Sequence, residues 1–277
     1  MGYTANSWAE YPNNNYPNIP DLLDITCVEV HPETKDVYFG SYLDGLVHFD
    51  RTQDVMTYYD DSNSSLNNIA GDPTRTRVAD IAFDDSLNLW IANFGGEQPI
   101  SVLTNDGQWA SFNAPALNIN TVTIDANGYK WFVVAGGQSG VIVYDSGLLP
   151  LDPSDDRIKV LTSNNSNLPT NNVNCVVVDK EGDVWVGTQE GPIVFDCASL
   201  IFEDQGCQGS LRIGETDNIG AYLLETENIN CIGIDGANRK WFGTDNGIFI
   251  QSPSGEEGVF KLDVDNSPLF SNSIKVI

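Results

Sequence analysis

One pattern recurs along the chain and limits its fold more than any other feature. "DDSLNLWIANFGG" begins at Asp84, "DANGYKWFVVAGGQSGVIVY" at Asp125, "DKEGDVWVGTQEGPIVF" at Asp179 and "DGANRKWFGTDNGIF" at Asp235. Each places an aspartate six residues before a tryptophan: Asp84 and Trp90, Asp125 and Trp131, Asp179 and Trp185, Asp235 and Trp241. A looser copy, "HPETKDVYFGSYLDGLVHF", starts at His31, with Tyr38 in the aromatic place and the leading acid lost. The aromatic anchors lie 52, 41, 54 and 56 residues apart. A unit returning about every 50 residues marks an array of structural repeats and outranks any single-residue reading.

Each unit reads as strands separated by turns. It opens with a β-branched run ("ITCVEV", "VADIAF", "NTVTI", "VNCVVV", "INCIGI"), and a fourth run closes most copies ("MTYYD", "GQWASF", "IKVL", "VFKL"). Between them the aspartate opens a tight turn, accepting backbone N–H groups. Gly128, Gly182 or Asn238, three residues on, tolerates a left-handed backbone. The tryptophan lies on the returning strand, where its apolar area packs between neighbouring sheets. Asp44–Gly45, Glu190–Gly191 and Asn246–Gly247 make the next hairpin. The aspartates and tryptophans are therefore expected to be scaffold.

No helical period appears anywhere. The expected fold is all-β: a β-propeller of four-stranded antiparallel blades, about five of them complete. A β-helix is the weaker alternative, because its coils are shorter and lack the four-strand grouping. "SWAEY" at Ser7–Tyr11 reads as an orphan outer strand and "SNSIKVI" at Ser271–Ile277 as an orphan first strand. Residues 1–277 are thus expected to form a single propeller segment, excerpted from a ring of six or more blades in a larger exported protein.

Composition narrows the function. The formal net charge is −26, with 13 basic against 39 acidic residues, and the acids are scattered. Such a field repels nucleic acid and anionic membrane surfaces, so neither is an expected partner. No apolar run is long enough to span a bilayer, so no membrane insertion is expected. Met1 to Ser7 shows neither a charged nor an apolar signal-peptide region.

The five cysteines fall into two groups. Cys27, Cys175 and Cys231 share one repeat position and read as small buried fillers. Cys197 and Cys207 lie ten residues apart in a stretch without strand periodicity. They are a candidate disulfide, which would imply an oxidising compartment; the alternative is two unpaired loop thiols. The insertion from Cys197 to Glu225 exceeds what one outer strand needs. It is expected to be a staple first and a partner contact second.

Catalytic chemistry finds little footing. His31 stands where other copies have the turn aspartate, and His48 sits on a strand. Neither belongs to a nucleophile motif, and no zincin, P-loop or nucleophile-elbow pattern occurs. The turn aspartates are single acids rather than multi-oxygen cages, so calcium is not expected. No catalytic residue, cofactor or metal ligand is assigned. Binding has better support. In a propeller the loops entering the first strands and the hairpins after the tryptophan strands share one rim. That rim would collect Tyr42, Phe94, Glu97, Gln98, Gln138, Gln189, Glu190 and Asp245, whose amides, carboxylates and rings suit a sugar. The loops "SNSSLNN", "NNSNLPTNN" and "NSPLFSNS" add hydroxyls and amides, although such residues are also ordinary in turns.

On "EGDVWVGTQEG" and "ANRKWFGTDNGIF" the chain resembles the two-component-regulator propeller repeat family. "YLLETENINCIGIDGANRKWFGTDNGIF" is more narrowly similar to PorZ-type surface propellers of the Bacteroidetes type IX secretion system. This resemblance implies an exported, multi-domain protein that assists a sortase complex in attaching anionic lipopolysaccharide to cargo. The partners so implied are secretion-system proteins or a glycan. The alternatives are the periplasmic propeller of a hybrid two-component sensor that binds oligosaccharide, and a streptogramin-lyase-like enzyme. The lyase would need a basic histidine on one rim, where His48 is the candidate.

Overall fold

The computed structural model describes residues 2–4, 7–9, 15–20, 22, 24–136, 139–216 and 219–277. Their regular structure is strand, with short 3-10 turns beside it. The chain packs as two compact units, Met1–Asn113 and Ala114–Ile277.

The first unit begins with a hairpin, β1 (Gly2–Thr4) and β2 (Ser7–Ala9). Two four-stranded antiparallel blades follow, their strands in sequence order across the sheet. Blade 1 holds β3 (Ile25–Val30), β4 (Val37–Ser41), β5 (Gly45–Asp50) and β6 (Val55–Tyr59). Blade 2 holds β7 (Val78–Phe83), β8 (Leu89–Asn93), β9 (Ile100–Leu103) and β10 (Trp109–Phe112). Tyr38, Leu46, Val78, Ile81, Leu89 and Leu103 pack between them.

The second unit contains blade 3, with β11 (Ile119–Ile124), β12 (Lys130–Val134), β13 (Val141–Asp145) and β14 (Arg157–Leu161). Blade 4 has three strands: β15 (Val173–Val178), β16 (Val184–Thr188) and β17 (Gly191–Phe195). A hairpin follows, β18 (Ile213–Thr216) and β19 (Ile219–Tyr222). Blade 5 holds β20 (Ile229–Ile234), β21 (Lys240–Thr244), β22 (Gly247–Gln251) and β23 (Gly258–Leu262).

The repeat is explained by one carboxylate. In blades 2 to 5 the aspartate Oδ1 accepts two backbone N–H groups of its turn. For Asp125 these come from Asn127 at 2.8 Å and Tyr129 at 3.1 Å. Oδ2 then accepts the indole N–H six residues on, at 2.9 Å from Trp131, 3.1 Å from Trp185 and 3.1 Å from Trp241. Fixing the turn and satisfying a buried indole donor therefore depend on the same side chain. The left-handed turn residue is Gly128, Gly182 or Asn238 as the pattern predicts, but in blade 2 it is Leu87, at φ 64°.

Blade 1 reaches the same turn by other means. His31 Nδ1 accepts the N–H groups of Glu33 and Thr34, both at 3.2 Å. Two donors on Nδ1 place the ring hydrogen on Nε2.

Every first strand carries a register shift at its second residue, which leaves Thr26, Ala79, Asn120, Asn174 and Asn230 out of the ladder. The bulge frees a side chain to reach the following blade. Thr26 Oγ1 donates to the Val78 carbonyl at 2.9 Å, and Asn174 Nδ2 to the Ile229 carbonyl at 2.9 Å. Beside three of the five bulges a cysteine sulfur faces a glycine. A Cβ on Gly40, Gly187 or Gly243 would lie 2.5, 2.5 or 2.4 Å from the sulfur of Cys27, Cys175 or Cys231. These three thiols are half-buried spacers.

The structure differs from the sequence pattern in three places. Ser7–Ala9 pairs with Gly2–Thr4 as a local hairpin; residues 10 and 11 lie outside the described residues. At the other end no strand forms, although Ile274 packs on Gly243 and its N–H donates to the Thr244 carbonyl at 2.8 Å. In blade 4 the outer-strand place is held by one bridge, Val194 to Ser210. The cause is the insertion. Cys197 and Cys207 are joined in a disulfide with Cα atoms 5.5 Å apart, and Ala198, Ile201 and Cys207 are buried with Trp131 and Phe195. Lys159 and Arg157 of β14 hold the same loop, through the Ile201 carbonyl at 2.6 Å and the Phe202 ring at 4.7 Å.

Candidate functional site

The residues expected on one rim divide between the two units. In the first, the rings of Tyr42 and Phe94 lie 5.5 Å apart. Arg77 completes them: its guanidinium is 4.7 Å from the Tyr42 ring and 5.6 Å from the Phe94 ring. Its Nε is buried without a hydrogen-bond partner among the described residues. A guanidinium over two rings has the chemistry to pair with an anion or with hydroxyl groups. Glu97 and Gln98 do not join this cluster. They line a separate polar cavity of about 580 Å³ with Asn67, Asn68 and Ser111. There the Gln98 Oε1 accepts from Ser111 Oγ at 2.8 Å.

In the second unit, Asn120, Asn172, Asn174, Gln189, Asn230 and Lys275 line a cavity of about 280 Å³. Asp245 sits at the end of this amide row. Its carboxylate accepts from Lys275 Nζ at 2.8 Å, Asn228 Nδ2 at 2.9 Å, Asn230 Nδ2 at 3.0 Å and Ser273 Oγ at 3.0 Å. Those donors hold its carboxyl well below the usual range, Lys275 foremost. Gln189 Oε1 accepts from Asn172 Nδ2 at 2.9 Å. Glu190 donates its backbone N–H to Thr188 Oγ1 at 3.0 Å and keeps an exposed side chain. Gln138 lies outside the described residues.

The Asn- and Ser-rich loops prove largely committed to the scaffold. Asn63, Asn165 and Asn266 each clamp the end of an outer strand. Their Oδ1 atoms accept the N–H of Asp60, Thr162 and Asp263 at 3.0, 2.7 and 2.9 Å. Their Nδ2 groups donate to the carbonyls of Tyr58, Val160 and Lys261, each at 2.9 Å. The next serine closes the same turn, so these side chains are not free for a sugar. The signal that could have shown this is N-S-x-L, repeated at Asn63, Asn165 and Asn266.

The histidines are similarly engaged. His48 Nε2 lies 3.2 Å from Asp36 Oδ2, and its ring is stacked on Tyr38 at 4.4 Å. Among the described residues no group of three or more His, Cys, Asp or Glu is arranged to hold a metal ion. No helix among them is long and apolar enough to cross a membrane.

Antiparallel blades with their first strands bulged toward the next blade are the units of a β-propeller, and that is the fold of this chain. Residues 167–190 match the family model described as two component regulator propeller. Among solved structures the chain is similar to PorZ, a surface component of the type-IX secretion system of Porphyromonas gingivalis. The two share 23% identity and a TM-score of 0.77, over 92% of this chain and 36% of that one. It is similar to the extracellular domain of a hybrid two component system from B. thetaiotaomicron, at 14% identity and a TM-score of 0.60, over 91% and 30% of the two chains. It is also similar to virginiamycin B lyase from Staphylococcus aureus, at 13% identity and a TM-score of 0.61, over 91% and 73%. The chain spans about a third of the length of the first two. No curated protein matches it at the level of sequence.

Proposed function

We propose that this chain is a non-enzymatic recognition and scaffold module of a cell-envelope secretion machinery, acting outside the cytoplasm. The observation that carries the reading is an exposed apolar patch shared by the insertion and the outer strand of blade 5. Tyr222 of β19 is 51% exposed, and Val259 and Phe260 of β23 are 46% and 56% exposed. They line one cavity of about 320 Å³. A patch of this kind on a rigid sheet edge marks a protein interface more often than a solvent face. The fold shared with a surface component of type-IX secretion supports the same reading.

The test is capture of the sortase complex from the cell surface by the full-length protein. Loss of capture in Tyr222→Ser/Phe260→Ser, with an unchanged melting temperature, supports the proposal. Undiminished capture overturns it.

A second reading, oligosaccharide sensing, is favoured by Arg77 with Tyr42 and Phe94. Its test is a glycan array, with Arg77→Ala and Tyr42→Ala expected to lose the same glycans.

A further inference from the structure

In blades 3 and 4 the repeat fills the slot toward the next blade with its own indole, and in blade 1 it does not. In blade 4 the Trp185 ring lies under the β22–β23 turn of blade 5, where a Cβ on Gly255 would come within 2.4 Å of it. Lys240, the residue before the tryptophan of blade 5, closes the slot from the side, its Nζ 5.1 Å from the Trp185 ring. The equivalent turn of blade 2 carries Gly107, and a Cβ built there meets nothing within 4 Å. The residue corresponding to Lys240 is Leu89.

The difference originates in blade 1. Register places Tyr38 where the other blades have tryptophan, and places His48 opposite it, where they have Val102, Val143, Val194 and Ile250. Tyrosine is shorter than tryptophan, and the flat His48 ring stacks on it instead of filling the slot. What results is a cavity of about 280 Å³ between blades 1 and 2. Its wall is apolar at Tyr59, Phe83, Leu89 and Leu103, and polar at Asp36 and His48. Tyr38 is only 9% exposed, so the cavity is bordered by a set side chain.

We propose that this inter-blade cavity binds a single aromatic ring that carries a hydrogen-bond donor, with indole as the type ligand. The fold itself supplies the argument, because the slots after blades 3 and 4 already accept an indole whose N–H donates to a carboxylate. Asp36 is the carboxylate of blade 1. Burial alone would raise its carboxyl, but the hydrogen bonds from His48 and from the Arg51 N–H outweigh this and hold it below the ordinary range. It is therefore an acceptor at neutral pH. The same charge, in a chain of net charge −26, rejects aromatic acids, so the ring must be neutral or cationic.

The experiment titrates the isotopically labelled full chain with indole and, separately, with N-acetyl-tryptophan amide, following the resonances of Tyr38, His48 and Leu103. Saturable shifts confined to these residues are expected, with a dissociation constant on the order of a millimolar or tighter. Binding of indole alone assigns a free small molecule, and binding of both assigns the tryptophan side chain of a partner. Tyr38→Trp, which imports the residue of the other blades, should abolish the shifts without lowering the melting temperature. Asp36→Asn, which keeps the shape, should weaken indole about fivefold and leave benzene unchanged. Absence of saturable shifts with either ligand overturns the proposal, as does equal indole binding in wild type and Asp36→Asn.

Discussion

The indole nitrogen of Trp90 donates to Oδ2 of Asp84 at 2.8 Å, while Oδ1 of the same carboxylate accepts the backbone N–H groups of Ser86 and Asn88, both at 2.9 Å. The six-residue spacing is therefore a distance constraint. It is the chain length needed for a turn-opening carboxylate to meet an indole on the returning strand.

Two substitutions at Asp125, where the paired indole is fully buried, separate the two tasks. Asp125→Asn keeps an acceptor for the turn but presents no charge to Trp131, and should cost about 1–2 kcal/mol. Asp125→Ala loses both and should cost about 3 kcal/mol. Urea unfolding measures the two; equal losses would show that the turn hydrogen bonds contribute nothing beyond the indole bond.

The Lys240–Asp179 pair is 2.7 Å long, with the two side chains 0% and 1% exposed. Lys240→Met leaves a buried carboxylate without its cation and should destabilise by about 3–5 kcal/mol. Burial alone would raise the Asp179 carboxyl. Lys240, the N–H groups of Glu181 and Asp183 and the Trp185 indole more than offset this, and the group lies below its ordinary value. A lowered folded value means stability that is present above the unfolded carboxylate pKa of about 4 and lost on further acidification. The gap between wild type and Lys240→Met should therefore narrow below about pH 4 in unfolding measured across pH. A constant gap would remove Asp179 from the acid response.

Gly187→Ala should destabilise by about 1–3 kcal/mol. Its new methyl would lie 2.5 Å from Cys175 Sγ and 2.7 Å from Ile229 Cγ2. Adding Cys175→Ala should recover part of the loss in thermal melts, whereas no recovery would place the whole clash on Ile229. Burial first, then the nearby Asp80, pushes the Cys27 thiol up to about 12, and burial also raises Cys175 and Cys231. All three should resist thiol reagents in the native protein at pH 8 and react after unfolding.

Reduction of Cys197–Cys207, or Cys197→Ser/Cys207→Ser, should cost roughly 2–3 kcal/mol for a ten-residue separation. The loss should appear in the second unit, since the closed loop packs against Trp131 and Phe195. Hydrogen exchange that rises in β14 and β17 would locate it there.

Much of the blade was legible because its determinants are local. The turn aspartates, the hairpin glycines and the strand runs act within a few residues of themselves, and Asp179, Gly182 and Gly191 take the conformations their positions require. What depends on the next blade was not. Nothing near Lys240 in the sequence shows that it neutralises Asp179, and nothing near Leu87 shows that a leucine will adopt a left-handed backbone. Candidate binding residues carry no such local signal. Asparagine and serine look alike as ligand groups and as turn locks, and only their partners separate Asn63, bound to its own strand, from an amide free to bind. The placement of Arg77 over two rings has no spacing signature in the sequence.

The bulge bonds from Thr26 to Val78 and from Asn174 to Ile229 have a thermodynamic consequence for unfolding. Each makes the geometry of one blade a condition for that of its successor, which is nearest-neighbour coupling in a one-dimensional chain. Weakening such a bond should lower cooperativity before it lowers stability. A blade released from its neighbour melts as a separate step, and the denaturant dependence of the transition becomes shallower. Thr26 and Asn174 thus govern whether neighbouring blades unfold together or one at a time.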